Sequence, residues 1–166
     1  MTVESWEPLR HLAVGEGRKL LLLGDVRTMK ASAAETGGQL TIVEQVVAPG
    51  AASALHRHPY QEIFYVLAGE LELSGLENGY PVTFLAASGS TVHAAAGVAH
   101  GYRNAGAVPV RFLAIMQPAG AEGFFADVGV WLDDDGAPPA GGAAPRSPDE
   151  VRAAAARHGI EFVSGS

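Results

Sequence analysis

Two imidazoles spaced two residues apart, His56 and His58, with a carboxylate at Glu62, are the side chains of this chain best placed to do chemistry. Successive side chains of a strand alternate faces, so His56 and His58 point the same way. Pro59 turns the chain, and Glu62 on the next strand can face the same cavity, with Phe64 and Val66 sharing its parity as pocket wall. Two imidazoles and one carboxylate converging on a point suit a borderline divalent cation: Fe(II), Mn(II), Ni(II), Co(II), Cu(II) or Zn(II). A second stretch, Gly89 to Asn104, contains a small-residue corner at 95–98 ahead of His100. His100 would be the fourth ligand, and Tyr102, two residues on, should share its face as pocket wall or proton carrier. Burying three imidazoles and a carboxylate without a cation would be expensive. The rings must be neutral to bind, so occupancy is expected to fall below about pH 6.5. Such a set leaves two open positions on a six-coordinate ion, as a substrate or O₂ requires.

The remaining candidates read as structural. His93 lies beyond the corner from His100, where the parity argument breaks, and is expected to be satisfied or at the surface. His158 falls in the last turn of a helix, where the dipole explains it, and His11 lies in an N-terminal arm. Arg57, between the two histidines, should face outward. Tyr60 and Gln61 occupy the turn between ligands and could reach a substrate, although a plain turn accounts for them.

These residues need a scaffold of strands. Short runs rich in Val, Ile, Leu, Phe and Thr, separated by Gly, Pro and Asn at intervals of about ten residues, have the pattern of an all-β sandwich or barrel. Strands are predicted at 18–23, 26–33, 39–47, 52–58, 61–67, 70–75, 81–87, 90–94, 99–104 and 108–116, with hairpin turns at Ala68-Gly69 and Asn78-Gly79. The chain then divides into an arm at 1–17, in which Trp6, Leu9 and Leu12 could pack on something, a barrel at 18–120, and a short helix or covering segment at 121–132. A flexible linker at 133–147 leads to a C-terminal helix and tail at 148–166. The helix opens on Ser147, Pro148 and Glu150, a capping box with proline at the first position, and stops at Gly159. Ile160, Phe162 and Val163 should dock the tail on the body. Whether 121–145 caps the pocket decides whether Phe124, Phe125 and Trp131 touch substrate; ordinary packing is expected. Asp133, Asp134 and Asp135 read as a solvated loop.

Composition narrows the function. The chain has 166 residues, 48% hydrophobic and 17% charged, which is one domain able to bury a core. A net charge of −7 and the lack of any Lys/Arg cluster argue against nucleic acid. Zero cysteines exclude disulfides, thiolate metal sites and Cys nucleophiles. With no signal peptide and no apolar stretch long enough for a bilayer, a cytoplasmic protein without membrane contact is expected. No glycine motif points to NAD, flavin or ATP.

The two site stretches resemble the paired motifs of the cupin superfamily. The first, G-x5-HxH-x3-E-x6-G, is matched by Gly50, His56, His58, Glu62 and Gly69; the second, G-x5-PxG-x2-H-x3-N, by Gly89, Gly97, His100 and Asn104, with Ala95 where the family usually has proline. The resemblance covers about residues 35–118. It implies a double-stranded β-helix (jelly-roll) barrel with a metal in its mouth, and small quercetin-dioxygenase-like cupins are the nearest in kind. On that basis the expected function is a metal-dependent dioxygenase, Fe(II) favoured, acting on a small phenolic or enol substrate, with Glu62 able to shift from ligand to base. Mn, Ni, Zn or Cu are alternative ions. A non-redox isomerase, lyase, cyclase or decarboxylase and a non-catalytic small-ligand binder are the alternative functions. Edge protection leads to an expected homodimer through the 1–17 arm or the 18–33 strands.

Overall fold

The computed structural model describes residues 9–140 and 146–164. Among these residues twelve strands form two antiparallel sheets. The larger contains β1 (Lys19–Leu22), β2 (Asp25–Ala31), β3 (Thr41–Val47), β5 (Gln61–Ala68), β8 (Thr91–Ala94), β10 (Val110–Gln117) and β11 (Val130–Trp131), in the order β11-β1-β2-β3-β10-β5-β8. The smaller contains β4 (His56–Arg57), β6 (Glu70–Glu77), β7 (Tyr80–Ala87), β9 (His100–Arg103) and β12 (Glu161–Phe162), in the order β12-β4-β9-β6-β7. Together they make the jelly-roll barrel, with three short helices outside it: α1 (Ala33–Thr36), α2 (Glu122–Val128) and α3 (Pro148–Arg157).

Alternation sets the inner faces. On β3, Thr41, Val43, Gln45 and Val47 are buried, and on β10 Val110, Phe112, Ala114 and Met116 are; these inward rows meet Leu71 and Leu73 of β6 in one core. Asn78 and Gly79 both have positive φ, 51° and 82°, so the β6–β7 hairpin is the tight turn its sequence predicts. Ala68-Gly69 is not a hairpin. β5 pairs with β8 and β10, and β6 with β7 and β9, so the chain changes sheets at Gly69. A Cβ there would lie 3.1–3.2 Å from Val110 and Pro109 at a φ of +82°, which is why a glycine marks the corner.

Three further expectations change. The strand predicted at 52–58 is regular only at 56–57, with an isolated bridge from Ala52 to Arg103. The 18–33 strands are not free edges, because β1 lies between β11 and β2, and β2 between β1 and β3. A helical turn, α1, interrupts the β run through a capping box from Ser32 to Glu35. Of the arm, Leu9 and Val14 are exposed; Trp6 lies outside the described residues.

At the other end, α3 starts on the Ser147–Glu150 capping box. The tail after it pairs as β12 with β4, Glu161 opposite Arg57 and Phe162 opposite His56. Asp133 closes a turn on Ala137 through its backbone and side chain, a self-contained loop. No helix among the described residues is long and apolar enough to cross a membrane.

Candidate metal centre

Four side chains converge at one end of the barrel. β4 and β9 pair His56 directly with His100. His58 follows β4, ahead of the Pro59 turn, and Glu62 sits near the start of β5 opposite Ala94 and Met116. The corner before His100 is tied to this strand end: the Gly97 N–H donates to the His58 carbonyl at 2.8 Å, and Val98 N–H to Ala95 at 3.1 Å. One potential ligand atom from each of His56, His58, Glu62 and His100 lies within 4.8 Å of the others, a cluster able to hold a metal ion. His58, Glu62 and His100 are buried.

Hydrogen bonds outside the cluster fix the ring tautomers. His56 Nδ1 is 2.8 Å from the Ala54 carbonyl, His58 Nδ1 2.7 Å from that of Tyr60, and His100 Nδ1 2.8 Å from that of Val98. A carbonyl can only accept, so each Nδ1 carries a proton, and in the neutral ring each Nε2 presents a lone pair inward. Yet Glu62 Oε2 is 2.9 Å from His58 Nε2 and 3.1 Å from His100 Nε2. Acceptors at that distance require a proton or a cation between them, and the donor set fits a divalent ion bound to imidazole and carboxylate. Without such an ion, burial holds the His56 ring down at about 4. Burial alone would raise the Glu62 carboxyl, but hydrogen bonds from His100 and His58 outweigh it and hold Glu62 below the carboxylate range. His100 is opposed by burial and raised on balance by Glu62.

His56, His58 and Glu62 line a cavity of about 130 Å³, and His100 borders a neighbouring one. Phe64 lines it. Val66, expected on the same wall, is fully buried in the core and is not among the lining residues. Tyr60 lines the cavity too, stacked on the His58 ring with centroids 3.9 Å apart. Phe124 and Phe125 of α2 both pack in the core and border the cavity, whereas Trp131 lies away from it under Arg18. His93 is outside the cluster and bonds Gln61 at the surface. Arg57 faces outward onto Glu161, and His158 is held by Asp127. Asn104, fully buried, spans the Val47 and Val108 carbonyls and the Gly106 N–H, so the last position of the second motif clasps loops.

The cavity lining also contains polar residues that spacing did not single out. Asp25, buried, accepts from the Tyr102 hydroxyl at 2.7 Å and from the Gln45 amide at 2.8 Å; the same amide also donates to the Tyr102 oxygen. Arg27 lies beside them on β2, directly across from Gln45 on β3, with its guanidinium over the Phe125 ring at 4.9 Å. A signal was present, since Gln45 puts an amide into an inward row otherwise made of Thr41, Val43 and Val47.

Residues 43–116 match the family model described as "Cupin domain". No curated protein matches the chain significantly. Among solved structures the chain is similar to recombinant oxalate oxidase in complex with glycolate, at 24% identity and a TM-score of 0.51, covering 57% of this chain and 51% of that one. It is also similar to oxalate decarboxylase from Bacillus subtilis, at 24% identity and a TM-score of 0.53 over 59% of this chain and 26% of that one. A third likeness is to Lactobacillus farciminis oxalate decarboxylase, at 20% identity and a TM-score of 0.52, over 66% and 30%. The chain thus aligns with about half of the oxidase and under a third of the decarboxylases, and at these identities the likeness is one of fold.

Proposed function

We propose that the chain, whose residues 43–116 match a cupin-domain model, is a cupin and a mononuclear metalloprotein acting as a dioxygenase on a small phenolic or enol substrate. His56, His58, Glu62 and His100 would hold one divalent ion, Fe(II) by preference. The observation that carries this reading is the set of three Nδ1–H bonds to backbone carbonyls, which leaves three ring lone pairs and a carboxylate facing one point. A bound redox-active ion would supply Lewis acidity and electrons for O₂ chemistry.

The chain's own residues then have distinct tasks. Glu62, kept ionised, accepts the proton of a substrate hydroxyl. Tyr102 already donates to Asp25 and accepts from Gln45, and burial raises its hydroxyl further, so we assign it to the pocket wall rather than to proton transfer. Phe64, Met116 and Phe124 make the apolar walls that limit water.

Elemental analysis of protein purified without added metal, alongside His56→Ala, tests the proposal. Near-stoichiometric iron, lost in the variant, with O₂ uptake on phenolic or enol substrates is the expected result. Stoichiometric zinc and turnover without O₂ would replace it with Lewis-acid chemistry, and an empty, unloadable site in both proteins would make the quartet structural. We also propose a homodimer assembled through the 1–17 arm, whose Leu9 and Val14 are exposed. Light scattering should show monomers after deletion of residues 1–17; an intact dimer would remove the arm from the interface.

A further inference from the structure

Arg27 is an unusual residue to find in this pocket. Its Nε is buried with no hydrogen-bond partner, and among the described residues it forms no ion pair. A buried donor left unpaired is costly, so its presence at a site calls for something the site receives. The nearby carboxylate, Asp25, is occupied by Tyr102 and Gln45. The guanidinium is not loose either, because Phe125 underlies its plane at 4.9 Å. It lines the same cavity as His56, His58 and Glu62.

Charge and shape define what would fit. With a divalent ion beside Glu62, and Arg27 beside Asp25, the cavity is left with one positive charge over, which a single anionic group neutralises. The planar fork of an arginine matches a carboxylate through two parallel N–H bonds. Much of the remaining lining, including Phe64, Met116, Phe124 and Ile160, is apolar. We infer that Arg27 is the anion-recognition residue of this pocket and that the substrate carries a carboxylate on an apolar body. Arg27 holds that carboxylate while the reactive end of the molecule faces the quartet. This deepens the metalloenzyme reading and rests on it for the orientation of the substrate, but the ion-pairing role of Arg27 can be measured separately.

Calorimetric titration with benzoate and with its neutral counterpart benzamide tests the inference. It would be run on wild type, Arg27→Gln and Arg27→Lys, each metal-free and loaded with Co(II), with melting curves to verify folding. Wild type should bind benzoate about tenfold or more tightly than benzamide. The preference should fall to near unity in Arg27→Gln and partly return in Arg27→Lys, which keeps the charge but loses the fork, while Co(II) stoichiometry stays the same in all three. Equal affinity for the two probes in wild type, or an undiminished preference in a folded Arg27→Gln protein, would overturn it. Should Arg27→Gln not fold, Phe125→Leu takes its place, and a benzoate preference unchanged by loss of the supporting ring would count against the site. A protein that refuses Co(II) yet prefers benzoate through Arg27 would sink the metal reading and leave this one standing. One that binds Co(II) without the preference would do the reverse.

Discussion

The two walls of the pocket are built from the same material, strands with inward-facing polar side chains, yet they are finished differently. On the quartet wall every outer ring nitrogen is bonded to a backbone carbonyl, so all the unspent capacity is inward-facing lone pairs. On the other wall Asp25, Gln45 and Tyr102 bond one another, and the unspent capacity is the donor side of Arg27. One wall offers acceptors to a cation and the other donors to an anion. A pocket of two such halves orients a molecule with an electron-rich reactive end and a charged far end, and binding energy at the second wall becomes positioning at the first.

That contrast can be broken by experiment. The largest effect belongs to Glu62→Gln: loss of even an outer-shell partner costs 10–100-fold in metal affinity, so removing the acidic ligand should cost at least about a hundredfold, read by metal titration. Retention of metal at wild-type affinity would mean the quartet wall does not depend on its carboxylate. Next comes Asp25→Asn, which leaves the Tyr102 and Gln45 donors competing for one fewer lone pair in a buried setting. It should lower stability by about 1–3 kcal/mol in chemical denaturation and leave metal stoichiometry unchanged; a parallel loss of metal would show the walls to be one network. Ala95→Pro should sharpen the quartet wall. The preceding Ala94 is already extended in β8, as proline prefers, so the variant should gain about 0.4–1 kcal/mol, seen as a raised melting temperature. The smallest effect lies outside both walls. The Ser147 N–H and hydroxyl hold the Glu150 carboxyl below its ordinary 4.5. A group depressed on folding stabilises above its unfolded value, so this cap should contribute at neutral pH and be lost on acidification from about 4.5 downward. Glu150→Gln should therefore flatten a small part of the acid limb of a stability–pH curve.

The same contrast explains what was legible in the sequence. The quartet wall depends on short spacings, with His56 and His58 two apart, Glu62 after one turn and His100 after one corner, and strand parity carries such information directly. The second wall takes Asp25 and Arg27 from β2, Gln45 from β3 and Tyr102 from β9, and their meeting is fixed only by strand register across the sheets. Ala68-Gly69 misled for a related reason: a positive-φ glycine serves equally for a hairpin and for a crossing between sheets, and only the partners of β5 and β6 decide which. The 52–58 strand shrank because the Tyr102 N–H bonds the Ser53 hydroxyl and the Ala54 carbonyl takes the His56 ring N–H, two bonds that a regular ladder would have made between backbones.

The pairing of β12 with β4 sets the order in which the site can be completed. His56 faces Phe162 across that ladder, the Val163 N–H donates to the Leu55 carbonyl, and Arg57 grips Glu161. The strand that bears His56 and leads into His58 thus acquires its outer neighbour from residues about a hundred positions later in the chain. During synthesis, which runs from the N-terminus, the barrel's sheets can close while this flank of the quartet remains unsupported until residue 163 has left the ribosome. Such distant contacts are also the slow ones to form. An ion captured early would meet a site still open on one side, and its final grip would await the last stretch of the described chain.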